Sequence, residues 1–377
     1  MSTIPTPAAA PRQATHRAGE PLLEIRDLSV DYGLGEGAVH AVDSVDLTVH
    51  RGEVIGIAGE SGSGKSTLVY AVTRLLRDPG VIVSGEATFY SYASEQPGHH
   101  RDERRHREFD QNGVRRVDLL SQDKDVVRSV RWSEIAVVFQ SALHALNPVL
   151  TVGTLIDDVL KTHHAGMSKA RRRERAAELL ATVGISSDRL RSYPHELSGG
   201  MRQRVMIALS IALNPSLLIM DEPTTALDVV IQREILEQLM DLRDQFGFTI
   251  IFITHDLSLL IELADTIAVM YAGKIVEKAP AQALFRDAKH PYTQGLLRSF
   301  PSLHGPRTPM TGIPGSPPDL RNVPSGCAFH PRCPFAMPKC VTDVPPPIPV
   351  VDGSGAREAA CWLLTEKPVA AKSEVKA

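Results

Sequence analysis

A buried strand that turns through a glycine-rich loop straight into a helix leaves few folds open, and residues 54–76 have that form. The apolar run Val54-Ile55-Gly56-Ile57-Ala58 reads as a buried strand, and Thr67 to Leu76 reads as the helix after it. Between them Gly59-Glu60-Ser61-Gly62-Ser63-Gly64-Lys65-Ser66-Thr67 matches G-x-x-x-x-G-K-[ST], the phosphate-cradling P-loop. Gly59, Gly62 and Gly64 permit dihedrals and close approaches that a Cβ would block, so successive N–H groups can point at phosphate oxygens. The helix N-terminus adds partial positive charge. Lys65 would reach the β/γ-phosphates and the Ser66 hydroxyl would ligate Mg²⁺. A strand–loop–helix unit of this kind belongs to an α/β fold.

At 377 residues the chain exceeds one typical domain, so a main domain with appendages is expected. A net charge of −3 gives no support to nucleic-acid binding, which usually shows a basic surplus. No cationic stretch followed by an apolar segment opens the chain, and the most apolar long stretch, Val205 to Met220, is short and broken by Asn214-Pro215. The expectation is a protein inside the cell whose membrane association comes through a partner.

Residues 1–20 read as a disordered tail, with Pro5, Pro7 and Pro11 among small polar residues. Strand alternation follows at Leu23-Glu24-Ile25-Arg26 and Val45-Asp46-Leu47-Thr48-Val49, with turns at residues 33–37 and at Arg51-Gly52. Tyr32, just before the first turn, is placed either to offer its ring to a nucleotide base or to pack under a hairpin. From about residue 91 to 131 the pattern dissolves into mixed charge, read as a solvated surface insertion. A strand returns at Ile135 to Phe139 and ends at Gln140. Residues 151 to about 183 look helical, with Ser168 as a cap.

Leu197-Ser198-Gly199-Gly200-Met201 then opens another helix, a second anion-binding device in the same chain. One phosphate group rarely needs two such devices, which points to a nucleotide held by another subunit. The apolar run Ser216 to Met220 ends in Asp221-Glu222. A carboxylate at a strand end beside a P-loop is the expected Mg²⁺ partner, so Asp221 takes that role, and Glu222 is placed to polarise a water. Phe248 to Ile253 closes on Thr254-His255-Asp256. Three strands ending in polar groups argue that Gln140, Asp221-Glu222 and His255 converge on one crevice.

In order and spacing, the P-loop, Gln140, the Leu197 to Met201 signature, Asp221-Glu222, the Ala226-Leu227-Asp228 turn and His255 resemble an ATP-binding-cassette (ABC) ATPase over about residues 22–286. The chain is most similar to the ATP-binding subunits of bacterial oligopeptide and dipeptide importers, through Leu146-Asn147-Pro148, Tyr193-Pro194-His195-Glu196 and His290-Pro291-Tyr292-Thr293. The resemblance implies a P-loop ATPase core at 21–286 with an antiparallel β subdomain and a helical subdomain, an extension at 287–365 and a tail at 366–377. It implies that two such domains pack head to tail, with ATP between one P-loop and the other signature. Tyr32 would stack on adenine; Gly59, Ser61, Gly62, Ser63, Gly64, Lys65, Ser66 and Thr67 would hold the phosphates; Ser66, Gln140 and Asp221 would serve Mg²⁺. Glu222 would be the general base, His255 would contact the γ-phosphate, Ser198, Gly199, Gly200 and Met201 would complete the partner's site, and Asp228 would couple the two. Implied partners are a second ATPase subunit, often a different homologous chain, two membrane permeases and, through them, an extracytoplasmic substrate-binding protein, with the chain peripheral on the cytoplasmic face. Peptides or nickel chelates remain open as substrates, as does a soluble ABC ATPase without a transport role.

Residues 301–349 hold 14 of the chain's 27 prolines, so this segment is expected to lack regular elements and to need a staple. All four cysteines, Cys327, Cys333, Cys340 and Cys361, lie in the extension, with 5, 6 and 20 residues between successive members. In a reducing compartment such a group more often means metal than disulfides. No C-x₂₋₄-C pair favours zinc, and loose spacing with a Cys333-Pro334 step suits a [4Fe-4S] cluster, with Zn²⁺ or unliganded thiols as alternatives.

Overall fold

The computed structural model describes residues 19–35, 37–92, 109–121, 123–139, 146–164, 166–223, 228–299, 312–351, 353 and 355–366. Among the described residues the strands are, in chain order, β1 (Pro21–Tyr32), β2 (Val39–His50), β3 (Val54–Ala58), β4 (Gly80–Tyr92), β5 (Val114–Asp118), β6 (Ile135–Val138), β7 (Leu217–Asp221), β8 (Thr249–Ile253), β9 (Thr266–Tyr271), β10 (Lys274–Pro280), β11 (Ile348–Pro349) and β12 (Glu358–Ala359). The mixed α/β architecture is the one the P-loop unit implies. The described residues within 1–24, 48–53 and 88–251 form one compact unit and those within 25–47, 54–87 and 252–377 a second.

The second unit carries the P-loop. Every residue of β3 is buried, as a strand with no polar side chain must be when elements cover both its faces. It pairs in parallel with β9, Ile57 opposite Ala268. A tight turn at Ala272-Gly273, both left-handed (φ 49° and 80°), sends the chain back as antiparallel β10. β10 pairs with β12, and β12 with β11, so the order β11-β12-β10-β9-β3 seats part of the proline-rich extension at the edge of the P-loop's own sheet. Elsewhere the described part of the extension holds the helix Pro291–Arg298, a short helix at Pro338–Thr342 and single turns at His330–Arg332 and Trp362–Leu364. The P-loop helix spans Lys65–Val72, ending before the expected Leu76.

In the first unit β6 and β7 run parallel with Val138 opposite Met220, and both are wholly buried. Helices Val152–His163 and Lys169–Thr182 divide the stretch read as helical, and Ser168 caps the second by accepting from Arg171 N–H at 3.3 Å. The described part of the 91–131 segment is not a solvated insertion. β5 pairs antiparallel with β4 over Thr88–Tyr92, and a helix follows at Lys124–Val130. Arg115 faces inward from β5 with Val117, 8% exposed, and meets Glu134, 4% exposed, at 3.2 Å. The charge that hid the strand is thus spent on a buried pair. Residues 93–108 of that segment lie outside the described residues. No helix among the described residues is long and apolar enough to cross a membrane.

Candidate functional site

Two glycines close the phosphate cradle because nothing larger fits. Gly64 caps the P-loop helix at φ 102°, and a Cβ there would come within 2.2 Å of Ala41 O; a Cβ on Gly59, at φ 151°, would come within 2.3 Å of Met270 O. Both positions combine a left-handed backbone with steric contact, so glycine is required twice over. Inside the cradle Lys65 is 5% exposed, and its Nζ donates to Gly59 O at 2.8 Å and to Glu60 O at 2.9 Å. The amine is desolvated and held on two neutral carbonyls, an arrangement that an anion can outcompete. Ser63 Oγ is buried without a hydrogen-bond partner among the described residues, a polar group left for a ligand. These features fit a bound phosphate chain.

His255 and Tyr32 belong to the same unit. Thr254 N–H donates to Ile57 O at 3.3 Å, so His255, which is exposed, begins level with the end of the P-loop strand. Tyr32 is half-buried, and a Cβ on Gly80 would meet its ring at 3.0 Å, so that edge of the ring is packed against backbone. The other unit carries the remaining residues. Asp221 closes β7 with 0% exposure, and Glu222 follows in a left-handed conformation at φ 45°, a strained geometry for a non-glycine residue of the kind that collects at functional sites. Phe139 is level with Asp221 by the β6–β7 register, and Gln140, next in the chain, lies outside the described residues, as do Ala226 and Leu227. The signature helix begins at Gly199, with Ser198 as its cap accepting from Met201 N–H at 3.3 Å. Asp228 likewise caps the helix Val229–Phe246 through Ile231 N–H at 3.0 Å.

Sequence reasoning missed a group of side chains that grips the P-loop from the extension. Tyr292, fully buried, accepts a hydrogen bond from Glu60 N–H at 2.8 Å. Arg332 forks onto the Glu60 carboxylate, Nη1 to Oε2 at 2.7 Å and Nη2 to Oε1 at 3.0 Å, while its Nε donates to Pro314 O at 2.8 Å. Tyr271, Tyr292 and Phe329 pack around it with ring centroids 4.6–5.4 Å apart. The hydrogen bond to Glu60 holds the guanidinium above its ordinary range, and burial raises the Tyr292 hydroxyl likewise. The motif His290-Pro291-Tyr292-Thr293 offered a signal for Tyr292. Nothing in the sequence marked Arg332.

None of the four cysteines is in a disulfide, and Cys340 and Cys361 are buried. Cys327 N–H donates to Cys340 O at 2.8 Å. Burial pushes the Cys327, Cys333 and Cys361 thiols up, Cys333 to about 11 and Cys361 to about 12. Among the described residues no group of three or more His, Cys, Asp or Glu side chains is arranged to hold a metal ion, so the metal centre expected from the sequence is not built as a ligand cage.

Comparison with known proteins bears on this geometry. A family model described as ABC transporter matches residues 42–225, and one described as the C-terminal region of oligopeptide/dipeptide transporters matches residues 276–340. A Brucella melitensis protein that carries the name peptide import ATP-binding protein is 42% identical over 348 residues, 90% of this chain and 96% of its own length, and a Brucella ovis protein of the same name matches equally well. Among solved structures, a dimeric ATP-binding cassette in a post-hydrolysis state with ADP and Pi aligns with a TM-score of 0.55 at 26% identity, over 69% of this chain and 99% of its own. A component of an ABC transporter complex from Clostridium perfringens gives the same TM-score over 71% and 91%. With a phosphate cradle built on a buried strand and identity of this extent along nine-tenths of its length, the chain belongs to the ABC transporter family as an ATP-hydrolysing subunit with the oligopeptide/dipeptide transporter type of C-terminal region.

Proposed function

We propose that this chain is the ATPase motor of a peptide importer, working peripherally on the cytoplasmic face of a membrane with two permease subunits and a second ATPase subunit. The observation that carries the reading is the cradle itself: Lys65 on two carbonyls, an unpartnered Ser63 hydroxyl, and glycines where a Cβ cannot fit, joined in one unit to an importer-type extension. The cradle amides and Lys65 bind the phosphates, Tyr32 takes the base, and His255 meets the γ-phosphate. Mg²⁺, when bound, neutralises charge developing on the β- and γ-phosphates, and Ser66, Gln140 and Asp221 are the side chains proposed to hold it. Glu222 acts as general base, orienting a water and taking its proton. Ser198, Gly199, Gly200 and Met201 supply a second helix N-terminus to the nucleotide of the partner, and Asp228 relays between the two sites.

The division at 21–286 for the ATPase core and 287–365 for the extension is part of the same reading. In the extension we place a structural centre at Cys327, Cys333, Cys340 and Cys361. What supports it is the sequence: four cysteines gathered in one segment without a C-x₂₋₄-C pair, a spacing that suits a [4Fe-4S] cluster better than a single Zn²⁺.

Replacing Glu222 by Gln in the assembled complex tests the chemistry. Hydrolysis is expected to fall by at least about a hundredfold while ATP binding is retained, because the amide keeps the shape and loses the proton acceptor. Unchanged turnover in that variant would remove Glu222 from the role.

A further inference from the structure

Glu60 sits inside the phosphate cradle, yet its main contacts come from the C-terminal region more than 200 positions away. Its N–H is held by the Tyr292 hydroxyl, and both its carboxylate oxygens by Arg332. Its carbonyl accepts from Lys65 Nζ at 2.9 Å and from Ser63 N–H at 3.2 Å. One residue therefore links the extension on one side to the phosphate-binding amine and the turn of the loop on the other. The linkage is firm. Arg332 is 7% and Glu60 25% exposed, so the forked pair is largely shielded from water and acts as a geometric constraint, with both guanidinium planar contacts satisfied. Pro314 O fixes Nε, and the Tyr271 and Phe329 rings lie 5.8 and 5.9 Å from the guanidinium carbon. Tyr292 is fixed in turn: the helix that carries it is capped by His290, whose own N–H is held by Glu277 at 2.9 Å.

We propose that Arg332 and Tyr292 are positioning residues of the phosphate cradle: they hold Glu60, and through its carbonyl Lys65, so that the C-terminal region sets the affinity of the cradle for ATP. This rests on the ATPase reading above. The physical basis is preorganisation. A loop already ordered by the extension loses little entropy when the phosphates arrive, whereas a loop released from it must be ordered by the ligand. Arg332 also lies in a turn closed by His330 N–H to Cys327 O at 2.8 Å and Cys333 N–H to His330 O at 3.2 Å, so the placement of the guanidinium depends on the folding of the cysteine segment.

The test uses the full chain carrying Glu222→Gln, with ATP titrated calorimetrically. Arg332→Gln is expected to weaken ATP binding on the order of tenfold, and Tyr292→Phe, which deletes only the hydroxyl, by a few-fold. Glu60→Gln combined with Arg332→Gln is expected to weaken binding no more than the worse single change, because both sever one link. Lys339→Gln loosens the extension where it meets Glu366 and the Trp362 ring, away from Glu60 and from Glu277, and is expected to leave ATP affinity within about twofold. Equal losses from Lys339→Gln and Arg332→Gln would reduce the pair to a structural role and overturn the proposal. So would unchanged affinity in Tyr292→Phe, a variant that keeps the fold even if Arg332→Gln does not. Failure of the Glu222→Gln parent to bind ATP would instead overturn the ATPase reading, which keeps the two failures distinct.

Discussion

His290 caps the helix Pro291–Arg298 with its ring, Nδ1 accepting from Tyr292 N–H at 3.0 Å, and burial lowers its pKa from 6.5 to about 3. The role explains the ionisation state: only a neutral imidazole with a free Nδ1 lone pair can accept that bond. An unfolded chain takes up a proton at this residue near pH 6.5 and the folded one does not until about pH 3. The unfolded state therefore binds more protons across that window, so this contribution to stability is complete above pH 6.5 and is lost as the pH falls toward 3. Glu277, which accepts the His290 N–H and faces Arg357 at 3.8 Å, has its carboxyl raised by burial and acts in the opposite sense, its share being lost as pH rises. Denaturant titrations at stepped pH should show stability declining through this window by up to about 1.4 kcal/mol per unit from His290. His290→Asn, which keeps a capping acceptor without the titration, should flatten that slope, and an unchanged slope would show that His290 is not its source.

The elements differ in how plainly the sequence announces them. β3 was legible because a strand covered on both faces must be apolar throughout, and the loop after it because a cradle of amides needs glycines where φ is positive. The helix caps at Ser168 and Ser198 were legible for the same local reason, a hydroxyl placed to take an unpaired N–H. β5 was not, because Arg115 occupies an inward position and periodicity treats any arginine as solvent-facing; its partner Glu134 lies beyond the intervening helix. The grip of Arg332 on Glu60 was illegible for a stronger reason, since a contact across such a separation leaves no local pattern. The cysteine segment stands between these cases: the sequence gathers four cysteines, and the fold leaves them out of any disulfide while joining Cys327 N–H to Cys340 O. The cluster proposed for them is tested on full-length chain purified without oxygen: brown colour and about four irons, with colour lost on replacing Cys340 by Ser, would support it. A colourless, iron-free preparation whose four thiols all alkylate would exclude the cluster.

At the level of the whole molecule, the residues proposed to handle the nucleotide are divided between two units. One compact unit holds the P-loop, Tyr32 and His255 together with the extension that grips Glu60; the other holds Asp221, Glu222, the Ser198 helix N-terminus and Asp228. The helix start proposed to serve a partner's nucleotide, at Ser198, thus lies in a different unit from the P-loop. A motor subunit of a peptide importer couples peptide delivery to ATP hydrolysis. The most direct measurement is the ATPase rate of the chain assembled with its permeases in lipid vesicles, with and without a peptide-loaded binding protein on the opposite side. The account predicts a several-fold rise on adding the loaded binding protein, and none in the Glu222→Gln complex. A rate indifferent to peptide, with hydrolysis unaffected by Glu222→Gln, would contradict it.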